Sequence, residues 1–81
     1  MISLQRYPRQ RWVAELTKFG CQPAEGIPER PDGEYWRWPW PKAYPFFVPL
    51  DEDGYLDTWA LIRLKRDMRI LAPEGWNFPK N

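Results

Sequence analysis

Hydrophobic positions early in the chain fall at helical spacing. Trp12, Leu16 and Phe19 stand at i, i+4 and i+7, with Val13 beside them, and Arg9, Arg11, Glu15 and Lys18 fall mostly off that stripe. Apolar residues at this period set one helix face against a core. Residues 8–20 are therefore expected to be helical. Pro8 suits the first position, where an N–H would lack a helical partner anyway. Gly20 suits the C-terminal cap, and Pro23 prevents continuation. Arg11 and Glu15 have the spacing of a helical ion pair.

Residues 21–34 carry no period. Pro23, Gly26, Pro28, Pro31 and Gly33 mark turns and loop, with room for a short strand over Cys21 to Ala24. Asp32-Gly33 suits a turn into a strand. Residues 34–40 then alternate, so Trp36, Trp38 and Trp40 share one strand face, and Tyr35 and Arg37 the other. Pro39 ends that strand or confines it to an edge. Residues 44–50, rich in aromatic and branched side chains, read as a second strand bracketed by Pro45 and Pro49. Residues 51–54 form an acidic turn. Leu61, Leu64, Met68 and Leu71 recur at i, i+3, i+7 and i+10, which predicts a second helix over 57–71. Asp57 or Thr58 can cap it, and Pro73 stops it. Arg63, Lys65, Arg66 and Arg69 sit largely off the Leu stripe. The tail, 73–81, carries Trp76 and Phe78, and either folds back or stays free.

These elements predict an α+β fold, a single domain over 1–81 with its core at about 8–72. The order is α-β-β(-β)-α, with two helices packed on one face of a short antiparallel sheet.

Composition narrows the function. The chain has 81 residues, and one this short hides only about 60% of its unfolded surface. Twelve basic and 11 acidic residues leave a net charge of +1. That excludes a polycationic nucleic-acid arm or an acidic DNA mimic as a whole-chain property. A single cysteine, Cys21, permits no internal disulfide, and the absence of histidine removes every His base and His metal ligand. No apolar run is long enough to span a membrane, and MISLQRYPRQR has no apolar secretory core. The expected compartment is the cytoplasm. Trp is overrepresented, with 6 residues. A domain this small fully buries about two or three such rings, each carrying roughly 150–250 Å². The remaining rings are half exposed or meet a partner, and Trp is enriched at binding hot spots.

Four short pieces occur in a telling order. A helix ends in Phe19-Gly20-Cys21, a glycine turn at Gly33 leads into an aromatic strand, a strand ends in Val48-Pro49, and Thr58 to Ile62 with Arg69-Ile70 form the last helix. In order and spacing, residues 8–71 resemble the HicA-type (YcfA-like) mRNA interferase toxins. The resemblance implies a small α-β-β-β-α fold related to the double-stranded-RNA-binding domain, and an RNA partner. In that family a His after the glycine turn carries the ribonuclease activity. The matching position here lies near Glu34, and no His exists to replace it. The resemblance then implies a shared fold with activity lost or weak. Glu34 would serve as the base only if burial raised its pKa.

Other candidates each carry two readings. Arg63, Lys65, Arg66 and Arg69 form a basic helix face for phosphates or an acidic partner, or simply a solvated face. Arg6, Arg9 and Arg11 form a second cluster that would join the first if the helices lie side by side. Tyr35, Trp36, Arg37 and Trp38 stack bases or anchor a protein, unless the Trp face is buried and leaves Tyr35 and Arg37 outside. Glu25, Glu29, Asp32 and Glu34, then Asp51, Glu52, Asp53 and Asp57, read as solvated turns. Asp51-Glu52-Asp53-Gly54 lacks the distal Glu of a calcium loop, so no metal is expected. Cys21 reads as a packing residue, and no cofactor motif is present. The expected function is a small non-enzymatic binding or regulatory module that recognises a protein partner through an aromatic and Arg-rich surface. The alternative is an RNA-binding domain of the resembled type. A homodimer through the aromatic tail stays open.

Overall fold

The computed structural model describes residues 5–28 and 30–78. Its fold is α+β, as the periodicities predict, with antiparallel strands arranged in two small sheets. Sheet one pairs β1 (Arg6–Tyr7) with β5 (Leu56–Asp57), and sheet two runs β2 (Gln22–Pro23), β3 (Gly33–Arg37), β4 (Pro45–Pro49).

Helix α1 spans Arg9–Lys18. Pro8 stands one place before it, as the extended cap residue, and its carbonyl accepts from Arg11 and Trp12 N–H at 2.9 and 3.1 Å. Gly20 closes the other end in the left-handed region, at φ +89°. Gly20 N–H donates to the Thr17 carbonyl at 2.9 Å, and Cys21 N–H to that of Leu16 at 3.1 Å. These are the paired bonds by which a glycine satisfies the last carbonyls of a helix and turns the chain. Trp12, Leu16 and Cys21 thereby enter the core together.

The three-stranded sheet places its alternate residues on opposite faces. Trp36 lies opposite Phe46, and Glu34 opposite Val48; Trp36, Phe46 and Val48 are buried. On the other face Tyr35 and Phe47 meet at 5.1 Å between ring centres, half-buried. Strand β3 stops at Arg37, so Trp38 and Trp40 leave the predicted alternation and pack through the turn that follows. The Leu50 N–H donates to the Asp32 carbonyl at 2.9 Å, beyond the Gly33–Pro49 pair. In that register the backbone nitrogens of Pro45, Phe47 and Pro49 point away from β3. Two of the three have no hydrogen, which blunts the outer edge of β4 against further pairing.

β1 and β5 were invisible to periodicity. They pair Arg6 with Asp57 and Tyr7 with Leu56. Thr58 extends the clamp, its N–H donating to the Gln5 carbonyl at 3.1 Å and its hydroxyl to the same oxygen. The clamp holds the start of α2 (Thr58–Leu71). Asp57 caps that helix by accepting from Trp59 N–H at 3.0 Å. Ala72 leaves the helix in an extended conformation before Pro73.

One core joins all of this. Trp12 and Leu16 from α1, Leu61, Leu64 and Met68 from α2, and Trp36, Phe46 and Val48 from the sheet form one buried cluster. Both helices thus pack on the Trp36 face of the sheet. Trp12 meets Trp36 edge-on at 5.7 Å, and its Nε1 donates to the Gly54 carbonyl at 3.1 Å. Leu71, placed in the core stripe by its spacing, is exposed. The described part of the tail folds back: Trp76 meets Trp40 edge-on at 5.9 Å, and Phe78 packs against the core.

Candidate functional site

A helix turns about 100° per residue, so the residues opposite its buried stripe follow from the sequence. With Leu61, Leu64 and Met68 inward, Trp59, Ile62, Arg63, Arg66 and Ile70 point out. Trp59, Ile62 and Ile70 are exposed by 65%, 50% and 68% and lie on that one outward face. Arg63 and Arg66 stand between them, and Arg69 stands on the flank, all exposed. Among the described residues no carboxylate lies within ion-pair distance of these three guanidinium groups.

Lys65 departs from the predicted basic cluster. It turns toward α1, pairs with Glu15 at 3.2 Å, and lies 5.8 Å from the ring centre of Phe19. Glu15 therefore has its partner on the other helix rather than in Arg11, which lies over the Tyr7 ring at 5.6 Å. Arg6 pairs with Asp51 at 2.7 Å, and Arg9 pairs with Glu34. The second predicted cluster, Arg6, Arg9 and Arg11, is thus engaged locally, at the acidic turn, at β3 and on β1.

The predicted aromatic strand face serves the core. Trp36 is buried against Trp12, and Trp38 is buried flat against Phe46 at 3.8 Å between centres, with Trp40 stacked beyond it at 5.7 Å. Neither ring is free to receive a partner: alternation sets Trp36 on the inner face of the sheet, and Trp38, beyond the end of β3, is covered by Phe46 and Trp40. Tyr35 is half-buried on Phe47. Arg37 is exposed; it donates to the Ala43 carbonyl at 3.3 Å and lines a shallow hollow of about 350 Å³ with Trp40 and Lys42.

Glu34 lines a cleft of about 410 Å³ with Arg9, Arg30, Tyr35 and Leu50. One of its oxygens is held by Arg9, and the other accepts from Trp36 Nε1 at 3.4 Å. Both oxygens thus have partners within the chain. Arg30 grips Asp32 with two bonds of 3.0 Å, which holds that carboxyl below its ordinary range. Asp51 is also held low, first by the Tyr55 N–H and then by Arg6. It builds the turn, accepting from Asp53 and Tyr55 N–H at 2.9 and 3.0 Å. Asp57 is spent as a helix cap; Glu25 and Glu52 are exposed; Glu29 lies outside the described residues. Cys21 is buried, and desolvation pushes its thiol up to about 11.

Sequence reading found the arginines of α2 but not Trp59, Ile62 and Ile70 between them. The signal was present: these residues recur at i, i+3 and i+11, on the side away from the Leu stripe. Compared with protein families, with curated proteins and with solved structures, the chain shows no match. Among the described residues no helix is long and apolar enough to cross a membrane.

Proposed function

We propose that this chain is a protein-binding module whose interface is the outer face of α2. One observation carries the reading: a Trp and two Ile are exposed on one face of a helix, interleaved with arginines that have no acidic partner among the described residues. Trp and Arg dominate binding hot spots, and here both share one helix face with two exposed isoleucines. The isoleucines favour a protein over a nucleic acid. A branched aliphatic side chain gains nothing from phosphates, whereas covering the exposed half to two-thirds of each against an apolar partner is worth about 1–2 kcal/mol.

The test is site-resolved. A photocrosslinking residue replaces Ile62 in one variant and Tyr44, exposed on another part of the surface, in a second. Both are exposed to host extract, with and without prior nuclease treatment. A single protein adduct from position 62, absent from position 44 and lost with Trp59→Ala, is the expected result. Adducts that vanish with nuclease treatment, or that form equally at both positions, overturn the reading.

A further inference from the structure

From the charge and shape of the α2 face we infer that its occupant is an acidic amphipathic helix, lying along α2 with apolar side chains between Trp59 and Ile70 and carboxylates on Arg63 and Arg66. This rests on the α2 face being the interface.

The outer stripe runs from Trp59 to Ile70, about 16 Å along the axis at ~1.5 Å per residue. That is three turns, the footprint of a short helix packed side by side. The geometry also disfavours an extended occupant. A strand binds by adding to a sheet edge, where backbone groups are unpaired. A helix face offers side chains alone, so an occupant's backbone gains nothing from it, and a helix, whose backbone is already paired, gives up least on docking.

Charge selects the chemistry. Arg6, Arg9, Arg30 and Lys65 already hold carboxylates of this chain, namely Asp51, Glu34, Asp32 and Glu15. Among the described residues, Arg63, Arg66 and Arg69 hold none, and neither do Arg11, Lys18, Arg37 and Lys42, but only α2 gathers three such cations on one helix, with four basic residues in all against one acid, Asp67. The near-neutral total charge conceals this. Arginine accepts a carboxylate with two parallel bonds, so acids at helical spacing on the occupant suit Arg63 and Arg66, themselves three apart. A second copy fits less well: two antiparallel α2 helices that set Trp59 against Ile70 would also set Arg63 against Arg66, with Asp67 only at the flank.

The test is a displayed library of three-turn amphipathic helices. Their apolar stripe is Leu, and their flanking positions vary among Glu, Lys and Gln. Selection on the wild-type protein should converge on Glu flanks. The best Glu helix, made as a peptide, should shift the NMR amide signals of α2 and bind at least tenfold less tightly to Arg63→Glu/Arg66→Glu. Selection on that variant should converge on Lys, which also shows that the variant is folded. Convergence on Gln or Lys with the wild type, or no binder above background, overturns the inference. So does tighter binding of a single-stranded 20-nucleotide RNA or of phosphatidylglycerol vesicles through the same arginines, or sedimentation as a dimer that Trp59→Ala dissolves. If position 62 crosslinks to a protein in extract while the library yields nothing, the docking face stands and the helical occupant falls.

Discussion

At the scale of single residues, Gly33 shows how little slack the sheet has. It begins β3 opposite Pro49, and it is buried. A Cβ there would overlap the Val48 carbonyl oxygen and the Phe47 ring. The carbonyl is backbone held in the ladder, so it cannot step aside as a flexible side chain would. Gly33→Ala should lower stability by about 1–3 kcal/mol, the usual cost of overpacking a tight site. The midpoint of a urea titration followed by Trp fluorescence measures it. An unchanged midpoint would mean that β3 and β4 separate more easily than their register implies. The same tightness fixes the tryptophans: of six, Trp12, Trp36 and Trp38 are buried and Trp59 is left outside.

At the scale of elements, the acidic turn acts as a strap between β4 and β5. Asp51 accepts from two backbone N–H groups of its own turn and from Arg6 of β1, so it ties the small sheet to the larger one. Its carboxyl lies below the ordinary value of 3.8 in the folded chain. The ionised form is therefore the one the fold prefers. Its contribution is present above the unfolded value, and it fades as pH falls below 3.8 through the lower folded value. The melting temperature of Asp51→Asn should thus lie below that of the wild type near pH 6, and the gap should narrow as pH falls below 3.8. A gap that stays constant with pH would assign the role to shape rather than charge. The elements themselves were unequally legible. α1, α2, β3 and β4 announce themselves by local period, because each buries a stripe or a face of its own residues. β1 and β5 have two residues each and pair Tyr7 with Leu56, so no local pattern holds them. The same divide runs through the binding face. Arg63, Arg66 and Arg69 could be read from helical geometry alone. The diversion of Lys65 to Glu15, and the burial of Trp36 and Trp38, depend on which elements meet.

At the scale of the whole molecule, the question is whether one core means one cooperative unit. Cys21 offers a probe already in place. It is buried in the cluster that joins both helices to the sheet, and it is the chain's sole thiol. With its thiol pushed up to about 11, roughly one molecule in a thousand carries a native thiolate at pH 8. Cys21 is also only 3% exposed, and this burial makes a disulfide reagent wait for opening. If the core opens as a unit, the labelling rate should follow global stability when exchange is fast relative to reaction. Gly33→Ala should then speed labelling by the same factor by which it lowers the folding equilibrium constant. Arg63→Glu/Arg66→Glu, which alters only the outer face of α2, should leave the rate unchanged. Fast labelling in native buffer, insensitive to Gly33→Ala, would show instead that the end of α1 opens by itself. The two helices would then be separable, and α2 could rearrange on binding without unfolding the sheet. Coincident rates would make α2 a rigid platform, so the face carrying Trp59 and Ile70 meets its occupant preformed.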